Sequence, residues 1–430
     1  MGGTEIYTHG LATRAQRAGH AVHVITYVES ASLDTKDYQT IQTEHQGVPV
    51  TEINFNLSRA SNPARAEYDN PHIVELLRNE LETIRPDVVH AVHAMKLSGA
   101  ALELCYEMDL PVVLTLADYW FICPRHTLIR WNEELCDGPR NDLDCTRCLH
   151  QLHGFARGAA QDLPVPLLRA ASRLNTTLFG EHQPRFWRDI DAIRKRQDYL
   201  REIVERADRV IALSNFQKET FVRNGYPPTK IQVLQHGLET EGLEPVRSET
   251  NETLEFILIG SLVYHKGPHV PIKALALFPE LKIRLRLYGD LSGHNAYLDS
   301  LKELAAADER IELMGTFPSD EMGRVLRTAN ALVMPALWYE NEPLVVKAAQ
   351  YIGLPVLASD IGTLATSIRD GINGWLLPPG DVEAWGRAFA SFAPKQLAPD
   401  LSIKSMDENA RELLELYQEI YSQRCSAQNT

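Results

Sequence analysis

The feature that most constrains this 430-residue chain is a rhythm: short apolar runs rich in β-branched residues recur along it, with helix-length amphipathic stretches between several of them. HAVHVITYV, GVPVTEINF, DVVHAV, PVVLTL, RVIALS and IQVLQH read as strands in the first half; EFILIGS, LRLYGD, IELMG, ALVMPA, LPVLASD and GWLLPP repeat the pattern in the second. Strands joined through helices form right-handed β-α-β units, and the parallel sheet they build needs cover on both faces. At roughly 150 residues per domain the length suits two or three bodies. Residues 238–255 (LETEGLEPVRSETNETLE) are polar, acidic and aperiodic, as an interdomain linker is. Two similar α/β halves are expected, residues 1–240 and 250–400. Residues 401–430 add an amphipathic helix that is expected to return to the first half.

The rhythm breaks over residues 117–200, read here as an insertion with a small knot and helices rather than a third domain. Four of the six cysteines fall in it: Cys123, Cys136, Cys145 and Cys148, spaced C-x12-C-x8-C-x2-C. Six cysteines are too few for a disulfide scaffold, and clustering of this kind in a reducing compartment reads first as metal binding. Four thiolates with one C-x2-C pair suit a closed, structural, tetrahedral zinc site; an iron–sulfur cluster uses the same ligands, and reduced buried thiols are the bland alternative. Further on, PRFWRDIDAIRKRQDYLREIVERADR carries Arg185, Arg188, Arg194, Lys195 and Arg196. These could meet anionic lipid or a lipid-linked acceptor, but the interspersed Asp189, Asp191 and Asp198 favour a solvated helix face.

A net charge of −14 argues against a nucleic-acid-coating surface, and 44% hydrophobic with 23% charged residues is a globular composition. No apolar run approaches the roughly 18 residues of a membrane span, and MGGTEIYTHG shows neither a basic nor an apolar leader segment. A cytoplasmic location is the default expectation, with peripheral contact at the inner membrane face as its extension.

Three loops sit where ligands bind in such sheets, at the carboxyl ends of strands and the N-termini of helices. Gly2 and Gly3 precede a helix, and glycine there lets backbone approach an anion. In IGSLVYHKGPH, Gly260 ends a strand and Lys266 stands before a glycine turn, a point charge for a diphosphate. The third loop, ALVMPALWYENEPLVVKAAQ, presents Glu340, Asn341 and Glu342, then Pro343 at a plausible first helical position. Its carboxylates can accept sugar hydroxyls or merely cap the helix, while the N–H groups of Leu344 and Val345 face a phosphate. His90 and His93, in VVHAVHAM, read as core or capping groups, with His93 a candidate for an acceptor cleft.

As a set, GGTEIYTHGLATRAQRAGHAVHVIT, SNFQKETFVRNGYPPTKIQVLQHG, IGSLVYHKG, YGD, ENEPLVV, GLPVLASD and DGINGWLLPPGD resemble the family 4 glycosyltransferases. These are retaining enzymes of the GT-B type, two Rossmann-like domains facing a cleft. DYWFICPR and the cysteines after it are similar to a bacterial branch used in surface-polysaccharide synthesis. The resemblance implies transfer of a sugar from a nucleotide diphosphate sugar to a hydroxyl of a glycan or lipid-linked acceptor, with retention, in cell-envelope polysaccharide or glycoconjugate synthesis. It places Lys266 on the donor diphosphate, Glu340 on the transferred sugar, Gly2, Gly3, Leu344 and Val345 near the phosphates, and Asp118 among the catalytic groups. No catalytic divalent metal is expected, because the lysine and helix dipole stabilise the leaving diphosphate. The chain departs from the family at Ala348, where a ribose-binding glutamate is usual, at Ala117, where many relatives carry histidine, and at Ser261, where arginine is usual. The GG-x-x-E segment reads Gly362-Thr363-Leu364-Ala365-Thr366. The sequence also opens at the first glycine loop, so the strand that would feed it, central to the first sheet, is expected to be missing. A non-catalytic relative that binds a glycan or a partner is the alternative reading.

Overall fold

The computed structural model describes residues 3–29, 37–152, 185–246, 252–293, 295–395 and 397–428, with scattered positions between 166 and 177. Its backbone clusters into two units, Ile6–Leu234 with Ala410–Thr430, and Met1–Glu5 with Gln235–Asn409. The stretch DLPVPLLRAASRL and the middle of the acidic linker fall largely outside the described residues.

In the first unit the strands are β1 (Val24–Glu29), β2 (Gln39–His45), β3 (Val48–Phe55), β4 (Val89–Ala91), β5 (Val112–Leu116), β6 (Arg209–Ala212) and β7 (Ile231–Val233). They form two sheets, β1-β3-β2 and β4-β5-β6-β7. β5 is buried throughout, but β1 and β4, each the end strand of its sheet, are only partly covered. The expectation of purely parallel pairing fails at β2, which runs antiparallel to β3. Its sequence, QTIQTEH, has no apolar alternation because nearly all of it faces water. Position in the sheet, not burial, makes it a strand.

The 22-residue helix Arg185–Arg206 is the beam of the inserted segment; it buries Ile190, Ile193, Leu200, Ile203 and Val204 at helical spacing. One expected solvated cation turns inward. Arg196 is buried, its Nε donating to Glu67 at 3.0 Å and its Nη2 to the Trp120 carbonyl at 2.6 Å. The other cations of this run are also engaged: Arg185 lies 3.7 Å from Asp189, Arg194 2.9 Å from Asp142, Lys195 2.9 Å from Asp191, and Arg188 donates to the Ser61 carbonyl. The helix Asp142–Leu152 is pinned to the beam by a buried His150–Asp189 contact of 2.8 Å and by Leu143 packing on Ile190.

Within the same unit, Tyr417 of the helix Met406–Gln428 meets His90 in the middle of β4, and Arg424 pairs with Asp208 and Asp109. Burial pushes His90 down to about 4, so its neutral ring serves as a packing and hydrogen-bonding group between Tyr417 and Thr115.

The second unit holds β8 (Leu254–Ile259), β9 (Ile283–Tyr288), β10 (Ile311–Gly315), β11 (Ala331–Met334), β12 (Val356–Ser359) and β13 (Gly374–Leu377) in one sheet, ordered β10-β9-β8-β11-β12-β13. Every pair in it is parallel. The chain winds outward from β8 to β10, then restarts at β11 on the other side of β8. That reversal leaves a crevice beyond the carboxyl ends of β8 and β11, where open α/β sheets bind ligands. Phe256, Leu258, Leu285, Val333 and Leu357 form the core with Trp385 and Phe389 of the helix Val382–Ser391.

Candidate active site

The loops after β8 and β11 meet at this reversal. The first ends in a single helical turn, Tyr264–Lys266, closed by Gly267 at φ +70°. A Cβ on Gly267 would lie 1.9 Å from the Pro335 carbonyl oxygen, so only glycine allows this turn to sit against the backbone after β11. The Leu337 amide completes the joint by donating to the His265 carbonyl at 2.8 Å.

That joint delivers Lys266 to Glu340. Its Nζ lies 2.7 and 2.9 Å from the two carboxylate oxygens, Trp338 Nε1 donates to Oε1 at 2.7 Å, and the ammonium stands 4.8 Å from the Trp338 ring centre. Glu340 is buried, whereas Lys266 keeps a quarter of its side chain exposed. The pair therefore offers one cationic face toward solvent, backed by an anion held from behind. Glu340 does not cap the next helix: Pro343 occupies the N-cap position, and Leu344 and Val345 open the helix Leu344–Ile352 with first-turn amides free of the helical ladder. A lysine beside a helix N-terminus is what a diphosphate needs.

Glu342 faces the other way. It accepts from the His236 amide at 2.7 Å and pairs with Lys347, whose Nζ also donates to the His236 carbonyl at 2.7 Å. Burial pushes its carboxyl up to about 7 against the pull of Lys347 and that amide. It anchors the loop rather than offering itself to a ligand. Ala348, at the position of the family's second glutamate, is buried in the same helix.

Gly2 lies outside the described residues. Gly3 starts the helix Gly3–Arg17 and clusters with the second unit, where a Cβ on it would come 3.9 Å from Leu344 Cδ1. Lys266 thus meets Glu340, and Gly3 comes near Leu344. Trp338, which covers Lys266 and fixes Glu340, was not among the sequence candidates; its only signal was its place two residues before Glu340.

Asp118 belongs to the first unit. His93 Nε2 lies 3.0 Å from one carboxylate oxygen and the Trp120 amide 2.7 Å from the other, while the Met95 amide donates to His93 Nδ1 at 3.0 Å. Burial works to raise the Asp118 carboxyl, but the charge and hydrogen bond of His93, with His126 and the Trp120 amide, outweigh it and hold it below the usual range. The Met95 bond makes Nδ1 the acceptor and leaves Nε2 to carry the proton toward Asp118. This partnership was invisible in the sequence, where 24 residues separate the two side chains.

The four clustered cysteines line one small space of about 50 Å³. Burial pushes the Cys123 thiol up to about 11 and raises that of Cys145, where the neighbouring Cys123, Cys148 and Cys136 act in the same direction. Among the described residues no helix is long and apolar enough to cross a membrane.

The family described as "Glycosyl transferase 4-like domain" matches residues 2–237, and "Glycosyl transferases group 1" matches 243–413. The D-inositol 3-phosphate glycosyltransferase of Pseudarthrobacter chlorophenolicus is 24% identical over 90% of this chain and 81% of its own length. Its counterpart from Corynebacterium urealyticum is 27% identical over 51% of this chain. The chain spans about half the length of the first such relatives, 58% and 50% for the two Corynebacterium proteins. Among solved structures, sucrose-phosphate synthase of Thermosynechococcus elongatus aligns over 100% of this chain and 93% of its own, with TM-score 0.59 and 17% identity. Anabaena HepE in complex with UDP and glucose aligns over 100% and 96%, with TM-score 0.58 and 16% identity. With a family match over more than half its length and the crevice of a doubly wound sheet beneath Lys266 and Glu340, the chain belongs to the family 4 glycosyltransferases of the GT-B fold.

Proposed function

We propose that this glycosyltransferase takes a nucleotide diphosphate sugar as donor and transfers a hexosyl group, with retention, to a hydroxyl of a glycan or lipid-linked acceptor in cell-envelope polysaccharide or glycoconjugate synthesis. The observation that carries the donor side is the Lys266–Glu340–Trp338 cluster before the helix Leu344–Ile352. In transfer, the bond from the sugar C1 to the diphosphate oxygen breaks as the acceptor oxygen bonds to C1, and the acceptor hydroxyl's proton passes to the departing diphosphate oxygen. Negative charge grows on the departing diphosphate, where Lys266 and the first-turn amides of Leu344 and Val345 would meet it. Glu340, pinned by Trp338, is then the acceptor for sugar hydroxyls. Asp118, locked to His93, is the anion of the acceptor-binding unit and sets which ring nitrogen of His93 carries the proton. HepE, solved with UDP and with UDP-glucose, supports a uridine nucleotide as the first donor to try. A peripheral contact at the inner membrane face would need a basic surface other than the Arg185–Arg206 helix, whose cations are engaged.

Calorimetry with free nucleoside diphosphates and their sugars tests the donor site. Lys266→Ala should weaken diphosphate binding by about 1.5–3 kcal/mol, roughly ten- to a hundredfold. Glu340→Gln releases Lys266 from its ion pair, so it should keep free nucleoside diphosphate binding while losing discrimination among sugars. Equal loss for both ligands would put Glu340 on the phosphate side and refute the assignment. Release of nucleoside diphosphate from a donor panel, with the anomeric configuration of the product read by NMR, tests transfer and retention.

A further inference from the structure

The segment between Asp118 and the helix Asp142–Leu152 carries a second site. It contains almost no regular structure beyond a bridge between Ile129 and Leu135, yet Tyr119, Trp120, Phe121, Ile122 and Leu128 in it are buried. Three non-glycine residues, His126, Leu128 and Glu133, adopt left-handed backbone there. Turn bonds hold the segment locally, such as the Cys123 amide to the Tyr119 carbonyl at 2.8 Å and the Arg130 amide to the Glu134 carbonyl at 2.7 Å, and its cysteines stand where a tie between loop and helix would add to them. Cys123 and Cys136 lie on the loop, where the Cys136 amide donates to the Leu128 carbonyl at 2.8 Å. Cys145 and Cys148 lie three apart on the helix Asp142–Leu152, which is pinned to the long helix of the unit.

All four line the same space of about 50 Å³, far smaller than the roughly 300–1,000 Å³ of a small-molecule pocket. On the loop, Cys136 Sγ donates to the Gly138 carbonyl at 3.1 Å, which sets the direction of that thiol. Arg130 and Arg140 line the space as well and can balance the two negative charges of a tetrathiolate centre.

We propose that Cys123, Cys136, Cys145 and Cys148 hold one structural zinc ion that ties this loop to its helix. Among the described residues no three His, Cys, Asp or Glu side chains are drawn together as a ready metal cage. The four cysteines stand around the space, and zinc binding draws their sulfurs in. One Zn²⁺ replaces four S–H protons, giving a dianionic centre and releasing four protons to solvent. With four protein ligands the ion has no open position, so its role is to hold the loop, and through it Trp120 and Asp118, rather than to react.

Full-length protein purified without chelator, with zinc in the growth medium, should carry about one zinc per chain, with a sulfur shell at about 2.3 Å by X-ray absorption. Titration with a mercurial should release that zinc stoichiometrically, and Cys145→Ser/Cys148→Ser should lose it. If that variant does not accumulate, the release experiment on the parent chain decides alone. Metal-free protein with four reactive thiols, an iron centre with labile sulfide, or a disulfide among these cysteines by mass spectrometry would each overturn the proposal.

Discussion

The two units differ in how their described strands are joined. The second builds one continuous parallel sheet whose central strands, β8 and β11, have neighbours on both sides. The first divides its strands between two sheets, leaving β1 and β4 at sheet ends and only partly buried. Outside the sheets it relies on the Arg196–Glu67 pair and on the long helix, which packs against the helices Pro63–Ala66, Ser98–Glu107 and Asp142–Leu152. Apolar burial is cheap to specify and needs no exact partner, whereas a buried ion pair stabilises only if both members are in place. The difference teaches that the second unit should tolerate conservative change and the first should fail at particular residues.

Truncating the core of the continuous sheet should have the largest effect. Trp385, fully buried, should cost roughly 3–5 kcal/mol as Trp385→Ala. Chemical denaturation followed by a probe in each unit should show this loss in the second unit alone. Arg196→Ala comes next at about 3 kcal/mol, because it removes the charge partner of Glu67, which keeps only the Trp120 indole N–H, and leaves the Trp120 carbonyl without its buried donor. If the charge-preserving Arg196→Lys costs as much as Ala, the bidentate geometry matters more than the charge.

A third effect separates the units by pH. Glu342 has its native pKa raised from 4.5 to about 7, so the native state binds the proton more tightly than the unfolded one. The stability this provides is whole below about pH 4.5 and is lost as pH rises to about 7. Asp118 has the opposite sign: its native pKa is lowered from 3.8, so its contribution is present above that value and lost as pH falls through the native one. Urea midpoints measured across this range should therefore fall for the parent relative to Glu342→Gln as pH rises. Relative to Asp118→Asn, the parent should lose ground only on acidification. A pH-independent difference in either case would mean that the carboxylate is solvated. Smallest is Tyr27→Ala on β1, expected at about 1–2 kcal/mol because the ring is only partly covered. A loss as large as that of Trp385→Ala would erase the contrast between the sheets.

All twelve apolar runs read from the sequence became strands, because β-branched periodicity reports burial directly. β2 escaped for the same reason: an exposed strand in a three-stranded sheet carries no apolar alternation to read. At the donor site, Lys266, Glu340 and the helix opened by Leu344 were legible because local chemistry fixes them: a glycine turn, a carboxylate loop and a proline before a helix. Their pairing was not. Whether Glu340 caps a helix or receives a lysine 74 residues upstream depends on two loops meeting at the reversal of strand order, which Gly267 permits by packing against the Pro335 carbonyl.

The sequence alone determined the alternation of elements, the parallel sheet of the second half, the family, and the identity of the chemistry-bearing loops, since each is encoded within a window of a few turns or strands. Tertiary structure decided what long-range contact alone can decide. It turned Arg196 from a surface cation into a buried partner of Glu67, locked Asp118 between His93 and Trp120, and gathered four cysteines spread over 26 residues around one small space. The physical reason is that burial and charge pairing belong to the neighbours a residue acquires on folding, and those neighbours lie tens to hundreds of residues away.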